Sequence, residues 1–126
     1  MTTKALVQPG AIVLDCPDPE ALAGFYADLL DWPAATITHE GYWASLTGGD
    51  GGFAIHFQRA ADYQPPTWPD PERPQMCHLD LTVTDLVAAA EHAVAVGARP
   101  LDLSAKHPTF QVYADPAGHP FCLCAC

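Results

Sequence analysis

The chain has 126 residues, 49% of them hydrophobic and 16% charged, a balance that fits one globular domain and excludes a disordered chain. Its formal net charge of -10 at pH 7 repels phosphate backbones, so nucleic acid is not an expected partner. No apolar run approaches the roughly 20 residues of a membrane span and no signal-like core follows Met1, so a cytoplasmic location is expected.

Residues 11–14, Ala-Ile-Val-Leu, read as a strand ended by Cys16 and Pro17. Asp18 then offers a side-chain cap for a helix, with Pro19 at the first position, where a missing N–H costs nothing. Leu22, Phe25, Tyr26, Leu29 and Leu30 recur at helical spacing and predict a stripe packed on a sheet, with Pro33 as the stop. Three short strands are predicted over 35–38, 42–47 and 53–58, the glycine-rich stretch 48–52 turning between the last two. From 59 to 75, five prolines (Pro65, Pro66, Pro69, Pro71 and Pro74) break regular structure and mark a linker. A strand over 76–83 follows, then a helix capped by Asp85 and ended at Gly97, then strands near 99–103, 110–114 and 120–125. Asp115-Pro116-Ala117-Gly118 carries type I turn residues between the last two.

Asp18 and Asp85 stand 67 positions apart, and the strand, capped helix and three strands around each make an internal repeat. The chain therefore divides into module one (about 8–58), the linker (about 59–75) and module two (about 76–126), all within a single domain over residues 1–126. Alternation places Leu79, Leu81 and Val83 on one face of the strand and His78, Asp80 and Thr82 on the other, the polar face toward a cleft. The offset puts Ala11, Val13 and Asp15 on the corresponding face of module one. Five cysteines, an odd number without a secretion signal, argue for reduced thiols, and strand spacing keeps Cys122, Cys124 and Cys126 too far apart to bridge easily.

The segments FYADLLDW, HLDLTVTDL and YADPAGHPFCLC together resemble the vicinal oxygen chelate superfamily, which includes glyoxalases, extradiol dioxygenases and bleomycin-resistance proteins. The resemblance spans roughly residues 10–125 and implies an α+β fold, two tandem βαβββ modules forming a curved, barrel-like mixed sheet. It also implies a divalent metal held by the first and last strands of both modules. Carried over residue by residue, one ligand falls on His78, while its counterpart in module one is Ala11, which has no donor. The last-strand positions fall on Cys122 and on Gln58, with His56 the alternative if the glycine turn shifts the alignment. An imidazole, a thiol and an amide form an incomplete set, so His78 and Cys122 alone remain as candidate metal ligands. A homodimer is also implied, the modules pairing either within one chain or across a two-fold axis.

Sequence signatures of other chemistries are missing: there is no Gly-x-Ser-x-Gly elbow, phosphate loop, Cys-x-x-Cys or dinucleotide fingerprint. Two readings stand. One is a protein that binds a small, largely apolar molecule in the cleft between the modules, with a degenerate metal site. The alternative is a metal-dependent lyase, isomerase or dioxygenase of glyoxalase type with His78 as its catalytic residue. Whether the chain is an enzyme stays open. The candidate ligand-binding residues are His56, Gln58, His78, Asp80, Cys122 and Cys124, with Trp43 or Tyr113 as an aromatic wall and Tyr42 and Phe110 as alternatives on the opposite faces. Trp68 is expected to cover an edge or a partner subunit.

Overall fold

The computed structural model describes residues 6–49 and 52–125. Module one runs β1 (Ile12–Cys16), α1 (Pro19–Leu30), β2 (Thr36–Thr38), β3 (Trp43–Thr47) and β4 (Ala54–Arg59), with one short 3₁₀ turn at His39–Gly41. Module two runs β5 (Leu79–Thr82), α2 (Leu86–Val96), β6 (Arg99–Asp102), β7 (Phe110–Ala114) and β8 (Pro120–Cys124). The repeat is confirmed down to its caps. Asp18 accepts a hydrogen bond from the Ala21 N–H and Asp85 one from the Ala88 N–H, each satisfying an otherwise orphan donor of its helix.

The first helix ends earlier than Pro33. Asp31 adopts the left-handed conformation (φ 55°, ψ 47°) and its N–H returns to the Ala27 carbonyl, closing the last turn before the proline is reached. Gly97 plays the same part after α2, at φ 121°. The strand expected over 76–83 is shorter, so His78 precedes β5 rather than lying within it. Part of the turn expected over 48–52 lies outside the described residues.

Each module forms its own four-stranded mixed sheet, ordered β1-β4-β3-β2 and β5-β8-β7-β6. In each, the first strand pairs in parallel with the last, and the remaining pairs are antiparallel. This is an α+β fold of two βαβββ units, and the sheets do not close on one another as a barrel.

The two modules share one hydrophobic core built from the inner sheet faces and the helices. Leu14, Cys16, Ala44, Leu46, Ile55 and Phe57 enter it from module one, and Leu79, Tyr113, Phe121 and Leu123 from module two. Tyr26 stands at the junction: its ring lies 5.8 Å from Phe57 and 6.2 Å from Phe121, and its hydroxyl donates to Asp115 Oδ2 at 2.7 Å. Asp115, only 4% exposed, also accepts from the Ala117 and His119 N–H groups, so the turn before β8 is built around one buried carboxylate. The imidazole of His92 on α2 lies 3.1 Å from the carbonyls of Asp28 and Leu29, reaching the end of α1.

The linker is ordered by its own bonds. Thr67 Oγ1 accepts from the Arg73 N–H, the Thr67 N–H donates to the Arg73 carbonyl, and Arg73 Nε donates to the Pro65 carbonyl. Tyr63 ties this loop to module two by donating to the Ala117 carbonyl at 2.8 Å. Trp68 and Pro69 are joined by a cis peptide bond.

Candidate functional site

Because β5 and β8 run in parallel with Asp80 opposite Cys122, and alternation turns Leu79, Leu81, Phe121 and Leu123 into the core, the other face of this pair collects polar side chains. His78 Nε2 lies 3.1 Å from Asp80 Oδ1. The donor atoms of His78, Asp80 and Cys122 all lie within 4.8 Å of one another. Burial, then the neighbouring Asp80 carboxylate, pushes the Cys122 thiol up to about 11, so it is a protonated thiol at neutral pH and not an activated nucleophile.

These residues open into a cavity of about 310 Å³ lined by Trp68, Gln75, His78, Asp80, Phe110, Val112, Pro120, Cys122 and Cys124. Its floor is module two and its wall is the linker. Trp68 thus faces a cavity of its own chain. The Gln75 side-chain oxygen is buried without a hydrogen-bond partner, which costs about 1–3 kcal/mol.

Four of the expected site residues line this cavity: His78, Asp80, Cys122 and Cys124. Tyr113 does not. It is 1% exposed, stacks 5.9 Å from Phe121 inside the core and donates its hydroxyl to Gln111 Oε1; Phe110 and Val112, on the opposite face of β7, line the cavity instead. Trp43, His56 and Gln58 sit together on the open face of the other sheet. The Trp43 ring meets His56 edge-on at 5.5 Å, and Gln58 Nε2 donates to Asp15 Oδ1 at 3.2 Å. The ladders also decide between the two candidates for Cys122's counterpart: Val13 pairs with His56 as Asp80 pairs with Cys122, and Val13 precedes Asp80 by 67 positions, so the counterpart is His56.

Cys16, Cys77 and Cys122 are free thiols, but Cys124 is held in a disulfide. The expectation of reduced thiols fails at Cys124.

The metal implied by the resemblance finds a partial fit. A nitrogen, a carboxylate oxygen and a sulfur suit a borderline cation such as zinc better than manganese or magnesium, which take oxygen ligands. At the corresponding positions of module one, Ala11 and Val13 have no donor and Asp15 is already bonded to Gln58.

The sequence matches the family model of the glyoxalase-like domain over residues 11–124, nearly its whole length. The chain belongs to the glyoxalase-like domain family. No curated protein was found to match it in sequence. Solved structures share the fold of this glyoxalase-like chain at low identity. The fosfomycin resistance protein FosX from Listeria monocytogenes, complexed with Mn(II) and 1S,2S-dihydroxypropylphosphonic acid, superposes with a TM-score of 0.71 at 13% identity, covering 96% of this chain and 91% of that one. A glyoxalase-related enzyme from Fulvimarina pelagi gives 0.67 at 22% identity, with 94% and 88% covered. TnmS3, an antibiotic binding protein from Streptomyces, gives 0.64 at 16% identity, with 97% and 98% covered.

Proposed function

We propose that this glyoxalase-like protein binds a small, largely apolar molecule in the cavity between the linker and module two, and performs no chemistry on it. The observation that carries the reading is the composition of the lining: Trp68, Phe110, Val112 and Pro120 supply apolar walls, and a few polar groups gather around His78 and Gln75. The protonated Cys122 and the lack of a donor at Ala11 and Val13 weigh against catalysis. That TnmS3 is an antibiotic binding protein on the same fold adds a precedent for binding. The protein acts in this reading as a homodimer in the cytoplasm, the open face of module one, with Trp43, His56 and Gln58, serving as contact surface.

A thermal-shift screen of apolar compounds tests the proposal: ligands of the cavity raise the melting temperature of the wild type by linkage and lose most of that effect in Trp68→Ala. Shifts that survive Trp68→Ala, or none at all, would defeat it.

The second reading rests on the clustering of His78, Asp80 and Cys122. These three would hold a zinc-like ion, which as a Lewis acid would polarise adjacent substrate oxygens in lyase or isomerase chemistry, whereas dioxygenase chemistry would need a redox-active metal in its place. His78 would fix the site, with Asp80 orienting its ring. Elemental analysis of tag-free protein decides: stoichiometric metal lost in His78→Ala supports this reading, and its absence after reconstitution removes it.

A further inference from the structure

Taking the binding reading as its basis, we infer that the ligand is an amine, protonated at neutral pH, carried on a flat apolar scaffold of one or two rings. Among the described residues, the cavity lining contains no lysine or arginine. Its one formally charged group at neutral pH is the Asp80 carboxylate, with His78 Nε2 at 3.1 Å. Gln75 also lines this space, its unpaired oxygen buried beneath the surface. The nearby cation of the linker, Arg73, donates through Nε to the Pro65 carbonyl and lines the neighbouring cavity instead. His107, stacked 4.2 Å from Phe110, is paired with Asp102 and brings no net charge of its own.

An entering group therefore meets the Asp80 carboxylate. Two aromatic residues, Trp68 and Phe110, complete the lining, and a cation is drawn to aromatic faces. The whole-molecule field has the same sign, since 15 Asp and Glu outweigh 5 Lys and Arg. A carboxylate or phosphonate ligand would enter against that field and face Asp80 without a countercharge. An ammonium group supplies Asp80 with that countercharge. At about 310 Å³ the cavity sits at the small end of ligand sites, which sets the scaffold size.

Three matched probes separate charge from shape: tryptamine, tryptophol and indole-3-propionate, titrated calorimetrically at pH 8 and low ionic strength. Tryptamine is expected to bind about tenfold tighter than tryptophol, with indole-3-propionate weakest, and its advantage to shrink as salt is added. In Asp80→Asn, tryptamine falls to the level of tryptophol while tryptophol is unchanged. Near-UV circular dichroism confirms that the variant is folded. Equal binding of tryptamine and tryptophol, or tighter binding of the propionate, would overturn the amine assignment while leaving an apolar binding cavity in place. Failure of all three to bind would overturn the binding reading as well.

Discussion

Tyr26 belongs to module one and ends on a carboxylate of module two. Burial raises the Asp115 pKa, and the Tyr26 hydroxyl opposes this by donating to Asp115 in a site that is 4% exposed. Tyr26→Phe leaves that carboxylate one donor short and is expected to cost about 1.5–3 kcal/mol, read as a lower urea midpoint with an unchanged slope. A cost below about 0.5 kcal/mol would show that the contact is not a clasp between the modules. Gly118 is the second residue with a single permitted identity: at φ 93°, a Cβ there would meet Pro65 Cβ at 2.6 Å. Gly118→Ala should destabilise by more than about 1 kcal/mol and release the linker to limited proteolysis, whereas unchanged cleavage would mean that the linker is held elsewhere. At this scale the sequence was read unevenly. The repeat offset that equates Asp18 with Asp85 also equates Trp43 with Phe110 and Leu46 with Tyr113, so the aromatic wall and the core residue of β7 were both legible in it. The unpaired Gln75 oxygen was not legible, because it arises from how an irregular linker settles on a sheet, and proline content says only that such a segment is irregular.

Strands and helices followed from alternation, capping and turn chemistry, which are local, and their boundaries shifted where a local backbone choice such as Asp31 came first. The linker was predicted as a spacer. In the structure it is an element in its own right, bonded around Thr67 and Tyr63, and it supplies Trp68 and Gln75 to the cavity. The loop between β6 and β7 has its own fastening: His107 Nε2 lies 3.1 Å from Asp102 Oδ2, and Asp102 Oδ1 accepts from the Ser104 N–H. The Ser104 and His107 bonds hold Asp102 below the usual carboxylate range, and the Asp102 bond holds His107 above the usual imidazole range. A raised imidazole contributes stability that is complete below about pH 6.5 and is lost as pH rises through its folded value; a lowered carboxylate contributes above about pH 4 and is lost in acid. Wild-type stability minus that of His107→Gln should therefore be largest between about pH 4 and 6.5 and decline on both sides. A difference independent of pH would show that the pair is not ionised in the folded protein.

As a whole the molecule is two copies of one unit joined through a common core, with one open sheet face equipped as a cavity and the other left bare. The duplication was readable because capped helices and strand lengths repeat; at Ala11 the sequence offers no donor where the resemblance implies a metal ligand. A site was expected between the modules; the cavity that His78, Asp80 and Cys122 line is bounded by module two and the linker. The uncovered face of module one belongs to the scale of the assembly, and sedimentation equilibrium is expected to give two chains per particle, with Trp43→Glu driving it to one; a monomeric wild type would contradict that assignment. The central claim concerns the cavity. Amide chemical shifts recorded while tryptamine is titrated into the protein test it most directly. Changes concentrated at Trp68, Gln75, His78, Asp80, Phe110 and Cys122 are the result expected; a spectrum that stays still there, or moves only around Trp43 and His56, would contradict it.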